Sequence, residues 1–309
     1  MMFGLAVAAA AAANMTPLEV TIPGPAGPLA ATLIDPARRT PVLIIIPGSG
    51  PTDRDGNNPL GVTGGVYRQF AEQLGAQGVA TLRIDKRGMF GSKAAIPDAN
   101  AVRIADYVAD VRHWAQYLKA RGKRCAWLAG HSEGGLIALA AAQDPRRICG
   151  LVLLAAPGRR LGVVLREQVK PLPPAQYAQV DAALTRLEQR QLVDPASVPA
   201  AVRSVFAPAV QGYMTDLVTA DPAALAARIR LPMLIVQGDA DLQVKLSDAQ
   251  ALSAANPRAT LAIIPNLNHV WKTATAADPA ANIATYGKAD LAIDPAVART
   301  VAAFVTKRR

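Results

Sequence analysis

One stretch of the chain decides its fold: Cys125-Ala126-Trp127-Leu128-Ala129-Gly130-His131-Ser132-Glu133-Gly134-Gly135, where an apolar run leads into a serine flanked by glycines. The run before the glycine is typical of a buried strand, and residues 136–142 are mostly strong helix formers. Glycines on both sides allow a turn that is too tight for side chains. The sequence therefore predicts that Ser132 lies on a sharp turn between a strand and a helix. A plain small-residue helix cap is the alternative.

The rest of the chain alternates between apolar runs and helical patterns. Strands are predicted at about 29–34, 41–47, 79–85, 124–130, 148–156, 231–237 and 260–265, and helices at about 66–77, 101–121, 133–143, 244–255 and 295–306. With 51% hydrophobic and 18% charged residues, the composition is ordinary for a compact enzyme. The alternation predicts an α/β fold with a mostly parallel sheet flanked by helices.

A serine becomes a good nucleophile only with a general base and a group that orients this base. The chain has three histidines. His113 lies in a helical pattern, and His131 adjoins the serine on a tight turn, so neither is expected to reach the serine hydroxyl. His269 follows the apolar run 261–265 in a polar loop, the kind of segment that often carries catalytic side chains. His269 is therefore the predicted base.

The orienting acid is expected after the strand predicted at 231–237, because chains with a serine on such a turn carry the acid between the serine and the histidine. Two aspartates compete there, Asp239 and Asp241. We favour Asp241, because the chain can turn at Gly238 before this acid points back towards the imidazole. Asp239 is expected to bind turn amides instead.

Two backbone amides are candidates for binding an oxyanion. One belongs to Glu133, the residue after the serine. The other is assigned to Ser49, because Gly48 and Gly50 let the backbone approach a substrate closely. A dinucleotide-binding loop is the rival interpretation of this glycine-rich segment. It fails because Asp53 stands where the third glycine of that motif should be and would repel a pyrophosphate.

These motifs resemble those of the α/β-hydrolase superfamily, in particular the bacterial esterases related to the serine aminopeptidase and dienelactone hydrolase-like groups. The resemblance covers residues 18–306 and rests on five ordered motifs, at 48–57, 85–88, 130–135, 238–244 and 268–269. It implies hydrolysis of small or medium acyl esters without a cofactor, with Ser132, Asp241 and His269 as the catalytic triad. Two residues depart from the esterase pattern near the expected cleft, Phe90 in place of a glycine and Lys245 in place of a proline.

Other functions remain as alternatives. An amidase, a peptidase or an acyltransferase would use the same triad and differ in the acceptor site. A hydrolase fold kept only for binding is disfavoured, because every catalytic element is present. No metal site is predicted, since the three histidines and two cysteines are separated along the chain and form no ligand pattern.

Residues 158–229 interrupt the alternation with several prolines and short amphipathic pieces. They are predicted to form a helical cap inserted into a core made of residues 14–157 and 230–309. A cap at this place would wall the acyl pocket and limit water. A peripheral helical insertion remote from the site is the alternative.

Residues 1–13 carry no charged side chain and are too short to span a bilayer. They are interpreted as a truncated signal peptide, which predicts a periplasmic or secreted enzyme; an alanine-rich tail on a cytoplasmic protein is the alternative. The net charge of +10, from 33 basic and 23 acidic residues, is spread over isolated pairs. Without an aromatic-interleaved basic stripe, nucleic-acid binding is not predicted.

The two cysteines are placed near matching ends of neighbouring strands. If Ala129 and Ala155 lie at the same level, Cys125 and Cys149 are offset by two residues, which separates their Cα atoms by roughly 8 Å. A disulfide needs about 4.4 to 6.8 Å. The sequence therefore favours two buried free thiols over a disulfide.

Overall fold

A computed structural model describes residues 15–37 and 40–307, so the predicted signal peptide lies outside the described residues. One eight-stranded sheet runs through the molecule. Its strands are β1 (Leu18–Pro23), β2 (Pro28–Ile34), β3 (Val42–Ile46), β4 (Ala80–Ile84), β5 (Ala126–His131), β6 (Ile148–Leu154), β7 (Met233–Gly238) and β8 (Thr260–Ile264). The order across the sheet is β1-β2-β4-β3-β5-β6-β7-β8. The pairs β1·β2 and β2·β4 are antiparallel, and the pairs from β4·β3 to β7·β8 are parallel.

Helices cover both faces of this sheet. They are α1 (Val66–Ala76), α2 (Ile104–Ala120), α3 (Glu133–Ala141), α4 (Leu161–Val169), α5 (Pro174–Glu188), α6 (Gln211–Thr219), α7 (Pro222–Arg228), α8 (Leu246–Ala255), α9 (Pro279–Ala284) and α10 (Pro295–Thr306). Short 3₁₀ helices span Phe90–Ala95, Ala99–Ala101, Pro195–Ser197, Ala200–Phe206 and Pro208–Val210. The predicted α/β fold with a mostly parallel, helix-flanked sheet is confirmed.

The central strands are apolar along their whole length because both of their faces are buried. In β3, Ile44 and Ile46 pack into the core that contains α2 and α3. Leu43 and Ile45 point the other way, into the core that contains α1 and α10. Alternate side chains of a strand point to opposite faces, so a continuous apolar run is what a sheet covered on both sides requires.

Strand β1 was not predicted from the sequence. It is an edge strand with four of its six residues exposed and only Val20 buried. Because one buried residue makes no periodic apolar pattern, the segment lacks the signal by which the other strands were predicted.

Residues 158–229 are helical, as predicted, and form a small core of their own. Leu184, Leu187 and Phe206 pack there against Leu136 of α3. Arg159 ties the start of the segment to α8, with 2.8 Å between its Nη2 and the carboxylate of Asp248. That the segment acts as a cap over the site stays a prediction.

The prediction of two free thiols is wrong, because Cys125 and Cys149 form a disulfide with 5.3 Å between their Cα atoms. The assumed register was wrong by three residues, since Ala129 pairs with Val152 and not with Ala155. A bulge between Ala126 and Trp127 then shifts the pairing again. A register error moves every pair along two strands, so sequence counting misplaced the cysteines.

We expect the double variant Cys125→Ala/Cys149→Ala to lose about 3 kcal/mol in the free energy of unfolding, because the disulfide closes a loop in the unfolded chain. The measurement is guanidinium denaturation with and without reductant. Reduced wild type is the control and should unfold like the double variant. Two alkylatable thiols in denatured, unreduced wild type would contradict the disulfide itself.

Candidate active site

Ser132 lies between the end of β5 and the start of α3 with φ 52° and ψ −124°. A non-glycine residue in such a conformation costs on the order of 1–3 kcal/mol, so the surrounding structure must hold it there. Its neighbours leave no room for side chains. A Cβ on Gly130 would lie 2.2 Å from the carbonyl oxygen of Gly134, and one on Gly134 would lie 2.3 Å from that of Ile46. The predicted sharp turn between a strand and a helix is present.

His269 and Asp241 form a buried pair, with 2.8 Å between His269 Nδ1 and Asp241 Oδ2. A carboxylate oxygen accepts, so Nδ1 carries the hydrogen and Nε2 is left as the basic nitrogen. Asp239 has a different partner from Asp241: its Oδ1 accepts a hydrogen bond from the backbone N–H of Asn266 at 2.6 Å. The structure thus brings together the aspartate and the histidine that the sequence favoured and leaves Asp239 as a turn residue.

Asp241 is held as a carboxylate by the groups around it. Burial acts to raise its pKa, but the charge and hydrogen bond of His269 act in the opposite direction. The backbone N–H groups of Gln243 and Val244 donate to Oδ1 at 2.8 and 2.9 Å, and Gln237 Nε2 donates to Oδ2 at 3.2 Å. Together these partners lower the pKa of Asp241 below its usual value.

Ser49, Ser132 and His269 line one cavity of about 370 Å³. Part of its wall is apolar, formed by Leu60, Val62, Val66, Val270, Ile283 and Tyr286. No Asp, Glu, Lys or Arg is among the lining residues of the described chain, and none of them comes from residues 158–229. The walls are instead formed largely by the loop after β3 and by the segment between β8 and α10.

The two predicted oxyanion donors flank the serine. Glu133 is the first residue of α3, so its N–H has no acceptor within the helix. Across residues 15–37 and 40–307, the Ser49 N–H has no acceptor either. The loop that carries Ser49 packs against the turn, because a Cβ on Gly48 would lie 3.3 Å from the Cβ of Ser132.

His131 and Tyr67, which also line the cavity, form a buried chain of hydrogen bonds that sequence reasoning missed. The Gly48 N–H donates to the Tyr67 hydroxyl at 3.1 Å, and this hydroxyl lies 2.7 Å from His131 Nδ1. His131 Nε2 lies 3.0 Å from the carbonyl oxygen of His269, which can only accept. His131 therefore donates through Nε2 and accepts the Tyr67 hydroxyl at Nδ1. Only the place of His131 beside the serine hinted at this role.

Burial, followed by the charge of His269, lowers the pKa of His131 to about 3. Burial also raises the pKa of Tyr67 above its usual value. Both side chains are neutral at physiological pH, as the hydrogen-bond directions require. His131 thus links the serine turn to Tyr67 and to the backbone of His269.

Neither departure from the esterase pattern reaches the cavity. Phe90 is 46% exposed with a φ of 45°, and Lys245 is exposed at the start of α8. The N–H of Gly91 donates to the Asp85 carboxylate at 3.0 Å, so a glycine does lie against this motif, one position later. The cavity lining of the described chain contains neither Phe90 nor Lys245.

The described residues contain neither a candidate metal site nor a helix that could span a membrane. No group of three or more His, Cys, Asp or Glu side chains there could hold a metal ion. In the same part of the chain, none of the helices combines the length and the apolar character needed to cross a bilayer.

A mostly parallel sheet with a serine on such a turn, followed along the chain by an aspartate and a histidine, is the arrangement of the α/β-hydrolases. Residues 60–271 match the family model described as "Serine aminopeptidase, S33". This match covers more than half of the chain, and the chain belongs to that family.

The chain is also similar to several known proteins in sequence or in structure. The chain is 28% identical over 263 residues to esterase EstD of Thermotoga maritima, which covers 83% of the chain but only 58% of that relative. Est1E of Butyrivibrio proteoclasticus superposes with a TM-score of 0.58 at 19% identity, covering 94% of this chain and 98% of Est1E. The esterase Pf2001 of Pyrococcus furiosus gives 0.57 at 16% identity, with 95% and 91% covered. These two likenesses show the fold.

We expect His131 to make stability depend on pH. The pKa of His131 is about 3 in the folded protein and about 6.5 in the unfolded chain. Below pH 6.5 the unfolded chain therefore binds a proton that the folded protein does not bind. The contribution of neutral His131 to the free energy of unfolding is fully present above pH 6.5 and decreases as the pH falls towards 3. By pH 5 this loss reaches about 2 kcal/mol.

The measurement is the free energy of unfolding of wild type and of His131→Gln from about pH 7.5 down to about pH 5. Asp and Glu titrations are common to both proteins and cancel in the comparison. The variant should show a flatter dependence than wild type. Parallel curves would contradict a neutral, buried His131.

Proposed function

We propose that this protein is a serine esterase that works through an acyl-enzyme on Ser132. The observation that carries the proposal is the buried pair of His269 and Asp241, because its His269 lines one cavity with Ser132, a serine held on a strained turn. In this mechanism His269 Nε2 takes the proton from the Ser132 hydroxyl as its oxygen attacks the ester carbonyl. Asp241 keeps the imidazole in the tautomer that this step needs and stabilises the imidazolium that forms.

The negative charge of the tetrahedral intermediate falls on the former carbonyl oxygen. In the proposed mechanism the N–H groups of Ser49 and Glu133 bind this oxygen. His269 then returns its proton to the leaving alcohol, and the acyl group remains on the serine. A water molecule, deprotonated by the same imidazole, attacks the acyl-enzyme; the imidazolium then gives this proton to the serine oxygen as the acyl–oxygen bond breaks and the acid leaves.

The cavity favours an ester over a peptide substrate. An aminopeptidase must recognise a charged α-amino group, and no carboxylate lies among the described lining residues. The apolar part of the wall suits an uncharged acyl chain. A volume of about 370 Å³ is near the lower end of ligand pockets, which span about 300–1,000 Å³, so short to medium chains are favoured. The similarity to a relative named as an esterase supports the same conclusion.

The test is a panel of p-nitrophenyl esters from acetate to laurate, measured beside aminoacyl p-nitroanilides. We expect kcat/KM to be highest at butyrate to octanoate and to fall at laurate, with little turnover of the anilides. Ser132→Ala is the blank and should lose on the order of 10⁴-fold in kcat. A preference for aminoacyl anilides would favour the peptidase alternative, and a tenth of wild-type activity in Ser132→Ala would refute the mechanism.

Asp239 and Asp241 offer a matched pair of variants, because the same change is made two residues apart. We expect Asp241→Asn to lower kcat by about 10⁴-fold, since the amide no longer enforces the correct imidazole tautomer. Asp239→Asn should stay within about threefold of wild type, because this side chain binds only a backbone N–H. Assays on p-nitrophenyl butyrate decide the matter, and the reverse order would transfer the role to Asp239.

We also propose that the enzyme works in an oxidising compartment, the periplasm or the exterior. The disulfide between Cys125 and Cys149 supports this, since such bonds are rare in the reducing cytosol. Fractionation of the native cells is the measurement, and recovery of the protein only with cytoplasmic markers would contradict export.

A further inference from the structure

Lys86 is a buried cation directly behind the active site. It follows β4 in the 85–88 motif, which the proposed mechanism does not use. Its Nζ donates to the carbonyl oxygen of Gly48 at 2.6 Å and lies 3.4 Å from Glu133 Oε1. Its side chain is 2% exposed and that of Glu133 is 3% exposed. The Nζ also lies 5.3 Å from the centre of the Tyr107 ring.

The neighbours of Lys86 anchor it from both sides. The Asp85 carboxylate accepts the backbone N–H of Arg54 at 2.9 Å. Arg87 donates a bidentate pair of hydrogen bonds to the Asp110 carboxylate, from Nη2 at 2.6 Å and from Nε at 3.0 Å. These bonds fix the backbone on either side of residue 86. Lys86 is the member of the motif whose side chain contacts the Gly48–Ser49 peptide.

The contact at Gly48 bears on the Ser49 amide because both belong to one peptide group. The described chain has no cis peptide bond, so the carbonyl of Gly48 and the N–H of Ser49 point in opposite directions. Lys86 binds the carbonyl oxygen at one edge of this planar group. The N–H therefore points away from Lys86, and Ser49 lines the cavity with Ser132. The N–H of Gly48 is held separately by the Tyr67 hydroxyl.

We propose that Lys86 is a positioning residue for ester hydrolysis, whose ammonium group orients and polarises the Gly48–Ser49 peptide so that the Ser49 N–H meets the oxyanion. The Glu133 carboxylate is its counterion. The proposal rests on the esterase function above. A cation on the carbonyl strengthens the N–H of the same peptide as a donor, and the low dielectric of the interior increases this effect. One buried pair thus serves both oxyanion residues, since Glu133 supplies the second amide through its backbone.

If Lys86 had a purely structural role, replacing it would lower activity no more than replacing another buried, paired lysine. Lys123 is the matched control for this comparison. Lys123 is also a buried lysine, with its Nζ at 2.7 Å from the Asp35 carboxylate and 3.2 Å from the Ala37 carbonyl oxygen. It lies before β5, at the opposite end of that strand from Ser132. Replacing either lysine by methionine removes a buried, paired cation, and only Lys86 contacts the oxyanion loop.

The experiment compares wild type, Lys86→Met and Lys123→Met on p-nitrophenyl butyrate and on an alkyl trifluoromethyl ketone, which forms a tetrahedral adduct with a catalytic serine. For Lys86→Met we expect kcat to fall on the order of 10²-fold with KM changed by less than about threefold. The Ki of the ketone should rise by a similar factor, because only the tetrahedral species uses the oxyanion site. Lys123→Met should keep kcat and Ki within about threefold of wild type.

The proposal is overturned if Lys86→Met keeps wild-type kcat, if its loss lies in KM alone, or if Lys123→Met loses as much. Failure of wild type itself to hydrolyse the ester or bind the ketone would instead refute the esterase function.

If Lys86→Met does not fold, Lys86→Gln carries the test, because glutamine keeps an N–H donor without the charge. There we expect kcat and the Ki of the ketone to change in parallel by about tenfold. Wild-type values for both would overturn the proposal.

Discussion

The positive φ of Ser132 is the constraint on which the rest of the site depends. A side-chain-bearing residue adopts this conformation only where the structure around it is rigid. Two contacts supply that rigidity. The N–H of Ser132 donates to the carbonyl oxygen of Leu154 on β6 at 2.9 Å, and Gly134 lies against the carbonyl oxygen of Ile46 on β3. The strained turn is thus held between the strands on either side of β5, at the carboxyl edge of the sheet.

Three loops must keep their relative positions for the site to work, and buried polar groups connect them. His131 links the serine turn to the backbone of His269, and Tyr67 links His131 to Gly48. Lys86 binds the same glycine from its carbonyl side. Each bond lies in an interior where water cannot compete, so losing one partner leaves another buried group unsatisfied. In the proposed mechanism, such a network would hold the Ser49 and Glu133 N–H groups in place before the substrate binds, as electrostatic catalysis requires.

The family match does not choose between an ester and a peptide substrate, and the proposed preference for esters rests on the cavity lining. The triad chemistry is common to esterases and peptidases, so membership of a serine aminopeptidase family does not choose between them. A charged amine needs a carboxylate partner when it is desolvated. The described lining has none and has an apolar wall instead. The walls come largely from the loop after β3 and from the segment between β8 and α10.

The sequence by itself determined seven of the eight strands, the serine turn and the candidate base and acid, because these depend on local periodicity, glycine spacing and chain order. The sequence did not determine strand register. A three-residue error in the register of β5 and β6 led to a prediction of free thiols where Cys125 and Cys149 form a disulfide. The cavity walls and the contacts of Lys86 and His131 were also decided only by the tertiary structure. They join residues far apart in the chain, and no local pattern encodes which buried side chain faces which loop.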